Sequence, residues 1–301
     1  LVAGTAGRHE TFTPRYGWIK KGYDRCDRNP HVFNDDNSIE QLGVGKNMVR
    51  SIRFWCVLFR VLEEGKSPGC LKPSEFGKRL LSDETGWDPF LEDPASLWLL
   101  HWQIFKPPFL AVSWNLFFNV IQMPSFSSQD LAKALMEKAQ RIEGFRQIAK
   151  GSFEKDASCL LRMYSPEKKE KADIRCPFCE LGILETAPES ESGNRLRFST
   201  SPKTSLPDLI FLASVFDYAA KWHPGEKSLS LQSVAFGKNS PGQVFRLSET
   251  ECGQRLGEAK RLAKSAVFTE SNGGIRQIQF WEDPKILAYK CLDLYYEGAR
   301  P

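Results

Sequence analysis

Residues 8–21 read Arg-His-Glu-Thr-Phe-Thr-Pro-Arg-Tyr-Gly-Trp-Ile-Lys-Lys, which puts an imidazole, a carboxylate, two arginines and two lysines in one short stretch. Cutting a phosphodiester requires a base or a metal-bound hydroxide to generate the nucleophile. It also requires a cation to offset charge building up on the phosphoryl oxygens. His9, Glu10 and Arg15 supply those types and are the candidate catalytic residues, with Mg2+ or Mn2+ as the candidate cofactor. The same residues have a purely structural reading, in which Glu10 and Arg15 pair with each other and the aromatic residues between them are core.

A second cluster lies in residues 36–62. Ile39 and Leu42 give one side of a short helix, and Gly43 and Gly45 allow a tight turn. A long helix over Lys46–Leu62 follows, with Met48, Ile52, Trp55, Phe59 and Leu62 on one face at helical spacing. Lys46, Asn47, Arg50 and Arg53 fall on the other side and crowd its N-terminal half. Recognition helices present Arg and Asn in this way, because their donor forks match base edges in the major groove. The turn-rich residues 63–69, then Lys72 and a small closing helix, suit the wing of a winged helix-turn-helix; the alternative is a helical hairpin with a solvated basic face. A weaker repeat of the pattern spans residues 228–280, with a helix over Ser228–Phe236, Gln243 and Arg246 as candidate DNA contacts, and an Asn-Gly hairpin at 272–273.

Other groups carry less. Glu92 and Asp93 precede Pro94 and read as helix caps more readily than as a metal site, and His101 reads as a core histidine. Cys176 and Cys179 form a CxxC with no second pair or His pair beside it, so zinc is not expected there. Gly43–Lys46 lacks the spacing of a phosphate loop.

The elements that must position these residues read as mainly α with small β-hairpins (α+β). Helices are expected over 94–105, 111–121, 129–148, 207–222, 248–263 and 284–296, with Ser127 or Ser128 and the Ser248/Glu251 pair as caps. Four segments follow: a winged helix-turn-helix over 8–82, a helical aromatic-rich middle over 83–165, a linker with a CxxC island over 166–206, and a second winged-helix-like domain over 207–301. Polar runs at 165–173 and 187–194 are the best linkers. Residues 1–80 hold 14 Lys/Arg against 9 Asp/Glu, a net of +5, whereas residues 81–130 hold one lysine against six acids, a net of −5. A basic first segment of this kind suits a polyanion partner better than the overall +4 suggests. Eight scattered cysteines, no secretory pattern and no apolar run long enough to span a bilayer point to a cytoplasmic protein.

Three long stretches carry a family resemblance: HETFTPRYGWIKKGYD (His9–Asp24), LGVGKNMVRSIRFW (Leu42–Trp55) and GWDPFLEDPASLWLLHW (Gly86–Trp102). PKTSLPDLIF (Pro202–Phe211) and SPGQVFRL (Ser240–Leu247) add to them. Together they resemble the bacterial domain-of-unknown-function family whose best-known members are the B component of Ssp-type DNA phosphorothioation operons. The resemblance implies a DNA-binding protein that nicks double-stranded DNA during sequence-selective phosphorothioation for antiphage defence. It implies as partners a cysteine desulfurase, an ATPase and an ATP-pyrophosphatase-like protein of the same operon. It assigns no cutting residues. Two readings without chemistry stand beside the nickase: a double winged-helix subunit that recruits the modification enzymes, and a regulator of the operon.

Overall fold

A computed structural model describes residues 6–143, 145, 147–166, 176–188, 195–262, 265–270 and 274–298. The chain divides into two compact units, Leu1–Ser199 and Thr200–Pro301. Both are mainly helical with small antiparallel sheets. Among the described residues no helix is long and apolar enough to cross a membrane. The polar runs at 165–173 and 187–194, and the expected turn at 272–273, lie largely outside the described residues.

The first unit opens with α1 (Trp18–Arg28), α2 (Ser38–Leu42) and α3 (Lys46–Leu58), followed by the hairpin β1 (Leu62–Glu64) and β2 (Leu71–Pro73) and by α4 (Glu75–Leu81). Gly43 takes the left-handed conformation (φ 62°) that ends α2, and the N–H groups of Gly43 and Val44 return to the carbonyls of Glu40 and Ile39. The helix beginning at Lys46 stops at Leu58, four residues short of the expectation. Its apolar period continues through Phe59 and Leu62, yet Arg60 adopts φ 57° and its guanidinium donates to the carbonyls of Gln103, Lys106 and Pro108. That tether turns the chain into β1, where Glu63 pairs with Lys72 across the hairpin.

The middle of the unit is α5 (Pro94–Ile104), α6 (Val112–Asn119), α7 (Ser128–Ala139) and α8 (Lys150–Tyr164), then a 3₁₀ turn at Pro177–Leu181 and the hairpin β3 (Leu184–Thr186) and β4 (Leu196–Phe198). α5 is buried along Ala95–Ile104, as a helix apolar on all sides must be. Asp93 caps it by accepting from the Ala95 N–H at 2.8 Å, while Asp88 accepts from the N–H groups of Glu92 and Asp93 and from Ser96 Oγ. These acids are thus occupied by helix and loop geometry. His101 is fully buried, with Nδ1 2.8 Å from the Tyr164 hydroxyl. Ser127 and Asp130 form a capping box at the start of α7, which ends at Ala139, well before the expected Ile148. α1 and α8 were not expected.

α1 packs on α3 through Gly22. A Cβ built there would lie 2.6 Å from Cys56 Sγ and 2.8 Å from Ile52 Cγ2. Gly22→Ala is therefore expected to push the two helices apart and to destabilise the first unit by about 1–3 kcal/mol, the usual range for overpacking. An unchanged urea midpoint would contradict this packing.

The second unit contains α9 (Asp208–Trp222), β5 (Ser228–Ser230), α10 (Leu231–Phe236), α11 (Pro241–Phe245), α12 (Glu249–Leu256), β6 (Ala266–Glu270), β7 (Arg276–Phe280) and α13 (Pro284–Gly298). β7 is the central strand of a β5-β7-β6 sheet, with Leu229 and Phe268 both opposite the buried Ile278. The helix expected from Ser228 starts instead at Leu231. Ser230 caps it by accepting from the Ser233 N–H, and the residues before it join the sheet. Ser248 and Glu251 form the expected capping box of α12, which gives way to a 3₁₀ turn at Gly257–Leu262.

Candidate nucleic-acid interface

The exposed face of α3 forms one wall of a cleft of about 830 Å³ in the first unit. Lys46, Arg50 and Arg53 line it from the helix, and Arg8 and Glu10 line it from the N-terminal loop. The segment from Phe33 to Ile39 also lines it and contributes the carboxylates Asp35 and Asp36. Lys46, Asn47 and Arg50 are exposed, and Arg53 is half-buried. Arg50 Nη1 lies 3.7 Å from Glu10 Oε1, and Arg53 Nη2 lies 3.4 Å from Glu64 Oε1 on β1. Lys72 stands on the exposed side of the hairpin, 3.0 Å from Glu63. Asp35 is held within its own loop: it accepts from the Asn37 N–H and from the Gln41 and Asn29 amides, and these hydrogen bonds keep its carboxyl below the usual carboxylate range.

The loop that carries Glu10 into the cleft is strained. Glu10 (φ 49°) and Thr11 (φ 65°) are consecutive non-glycine residues in the left-handed region, which costs about 1–2 kcal/mol each. Buried partners hold them there. The Thr11 N–H donates to His9 Nδ1 at 3.1 Å, so Nδ1 is an acceptor and Nε2 carries the ring hydrogen. Nε2 then donates to Asp156 Oδ1 at 2.9 Å. Asp156, 1% exposed on α8, also accepts from the Gly7 N–H at 2.7 Å and from Ser113 Oγ at 2.5 Å. Arg162 donates to the Thr11 carbonyl, and Trp55 Nε1 and Cys159 Sγ donate to that of Phe12. Strain maintained by such a network is a recurrent property of functional loops.

The expected catalytic trio is therefore divided by the fold. Glu10 faces the cleft. His9 is fully buried, stacks on Trp55 and has both ring nitrogens engaged, so in this conformation it positions the loop and does not reach a phosphate. Arg15 is half-buried with its guanidinium 5.6 Å from the Phe12 ring centroid and 5.0 Å from that of Trp18, and it is not among the residues lining the cleft. Asp156 and Phe54 are not singled out by the sequence, and Arg8 is counted there in the 8–21 stretch without a role of its own. Asp156 had a signal: it sits in the apolar stripe of Phe153, Ala157, Leu160 and Tyr164, where a carboxylate needs a buried partner.

In the second unit, Gln243 is half-buried in α11, and Arg246 closes that helix in the left-handed conformation with Nε buried. That inward placement does not suit the expected DNA contact at Arg246.

Magnesium needs near-octahedral oxygen ligation and commonly takes one or two carboxylates together with phosphate oxygens. Among the described residues no group of three or more His, Cys, Asp or Glu side chains is placed to hold a metal ion. In the cleft Glu10 faces Arg50 and the Asp35 oxygens are occupied, which leaves Asp36 as the remaining carboxylate of its lining, so the donor set does not fit a metal held by protein alone. At the CxxC, Cys176 is buried, with its thiol pushed up by desolvation, and Cys179 Sγ lies within 3.7 Å of the Arg162 and Met163 carbonyls. Cys176→Ser is expected to leave the metal content of the purified protein unchanged. One tightly held zinc per chain, lost in that variant, would contradict this.

A family profile described as "Protein of unknown function (DUF4007)" matches residues 7–296. Two solved structures are similar along the chain. One is described as an SspB crystal structure (32% identity, TM-score 0.89), the other as magnesium ion-bound SspB (31% identity, TM-score 0.88). Each match covers 99% of this chain and 90% of the other. Comparison with curated proteins found no match. With a profile match that runs almost from end to end and solved structures of the same fold at this identity, the chain belongs to the DUF4007 family.

Proposed function

We propose that this chain is the DNA-binding component of an Ssp-type phosphorothioation system and that it engages duplex DNA through α3 and the β1–β2 hairpin. The observation that carries the reading is the cleft lined by Arg8, Lys46, Arg50 and Arg53, which outnumber its carboxylates Glu10, Asp35 and Asp36, in a segment with a net charge of +5. Lys46, Asn47 and Arg50 approach the backbone and base edges, and Lys72 on the hairpin approaches a neighbouring phosphate. α2, the left-handed Gly43 turn, α3 and a two-stranded hairpin support reading this part as a winged helix-turn-helix. Similarity to the SspB structures supports the system, and the sequence resemblance implies the cysteine desulfurase, ATPase and ATP-pyrophosphatase-like partners.

Strand nicking is the second reading, favoured by the strained loop that holds Glu10 against Arg50. In it, a phosphate entering the cleft draws Arg50 away from Glu10. The released carboxylate takes a proton from the attacking water as its oxygen bonds to phosphorus, the P–O bond to the leaving sugar oxygen breaks and solvent protonates that oxygen, while Arg50 and Arg53 offset charge on the phosphoryl oxygens. His9 and Asp156 fix the loop, and Arg15 braces it from the aromatic side.

A supercoiled plasmid incubated with the protein in Mg2+, in Mn2+ and in chelator, beside a mobility-shift titration, separates the readings. A shift without relaxation supports binding alone. Relaxed circles that disappear in Glu10→Gln support nicking, and their loss in chelator identifies a metal requirement. Neither a shift nor relaxation would overturn the proposed function.

A further inference from the structure

Beside the exposed residues with which α3 would meet a duplex, the helix also lines a concavity. Arg8, Glu10 and the segment from Phe33 to Ile39 line it together with the helix. A cavity of about 830 Å³ lies within the size range of small-molecule sites, so a duplex lying across its mouth could deliver a single nucleotide into it. Its lining includes the carboxylates Glu10, Asp35 and Asp36, with Glu10 facing Arg50 and Asp35 held by its own loop. Arg50 and Arg53 are cationic, whereas Phe54, Val57 and Ile39 are apolar, with Phe54 and Val57 half-buried and Ile39 46% exposed.

Phe54 is also held rigidly. Its ring meets His9 edge-on at 6.0 Å and Trp55 edge-on at 5.0 Å, and His9 is fixed in turn by Asp156. An aromatic ring packed between other rings and beside arginines is an arrangement on which unpaired bases stack. Such stacking is sequence-tolerant and loses little entropy on binding.

We propose that the α3 cleft takes a single nucleotide drawn out of the base stack, its base on the apolar surface of Phe54, Val57 and Ile39 and its phosphate on Arg50 and Arg53. The inference rests on the proposed DNA binding and names the form of DNA that this cleft accepts. Drawing a nucleotide out costs least where it is already unpaired. DNA with one unpaired nucleotide therefore meets a pocket already built for it, and the protein prefers it to paired duplex.

The test compares two labelled duplexes of the same sequence at the same salt, one fully paired and one with a single bulged thymidine. The bulged duplex is expected to bind about tenfold tighter, consistent with the effect of one base–aromatic stack. Phe54→Leu, which keeps an apolar side chain against His9 and Trp55, is expected to bring the ratio close to one. Phe54→Tyr is expected to keep it. Equal affinity of the wild type for both duplexes would overturn the nucleotide pocket while leaving DNA binding in place, and binding to neither would overturn both. Thymidine 5′-monophosphate competing as strongly as the bulged duplex would assign the cleft to a free nucleotide and overturn the proposal.

Discussion

Arg50→Ala and Arg53→Ala are each expected to weaken binding to duplex DNA by about 1–3 kcal/mol, the range for removing one arginine contact. Both side chains line the cleft, and both are held by acids that a phosphate would displace: Arg50 by Glu10 at 3.7 Å and Arg53 by Glu64 at 3.4 Å. These partners are exposed or half-buried, so the ion pairs contribute little to stability and the variants should fold normally. An arginine on a base edge relaxes specificity at one position, whereas one on phosphate lowers affinity for all sequences alike. Titrating each variant against a panel of duplexes by fluorescence anisotropy distinguishes the two roles. Wild-type affinity in both variants, with unchanged circular dichroism, would contradict the assignment of α3.

Asp156→Ala is expected to have the largest effect on stability. It strips the acceptor from His9 Nε2–H, Ser113 Oγ–H and the Gly7 N–H, and the His9 and Ser113 side chains are fully buried. Removing one side of a buried charged network costs about 3–5 kcal/mol because the remaining groups are left desolvated and unpaired. Asp156→Asn keeps one carbonyl acceptor and should cost less. Tryptophan fluorescence follows the relevant unit, since six of the eight tryptophans lie in residues 1–199. A change in unfolding free energy within about 0.5 kcal/mol, the spread of an ordinary surface substitution, would show that the network does not brace the loop. Where the folded fraction is high, Asp156→Asn should also weaken DNA binding, because Glu10 and Phe54 both depend on the position of His9.

Features fixed by neighbours in sequence could be read before any coordinates. Ile39 and Leu42, the turn at Gly43 and the spacing of Ile52 and Trp55 place α2 and α3. Asp93 before Pro94 and Ser248 before Glu251 mark helix starts by their own hydrogen bonds. Features fixed at long range could not. The end of α3 depends on carbonyls more than forty residues away, which Arg60 reaches only in the folded chain. α8 starts at Lys150 with Ala149 at its N-cap and no side-chain cap, and it carries Gly151 in its first turn, so no start signal announces it. β5 takes its conformation from β7, which lies some fifty residues later. The site shows the same division. The basic face of α3 was visible as a periodicity, whereas the distinction between Glu10 in the cleft and His9 beneath it rests on an aspartate 147 residues away.

The most direct test of DNA binding through the α3 cleft is the salt dependence of duplex affinity. Each phosphate neutralised by a cationic side chain contributes about −0.9 to the slope of log affinity against log salt concentration. The wild type is expected to give a steep straight line, and Arg50→Ala/Arg53→Ala is expected to flatten it by about 1–2 units. A double variant that folds normally and keeps both the affinity and the slope of the wild type would show that DNA, if bound, lies elsewhere on the protein.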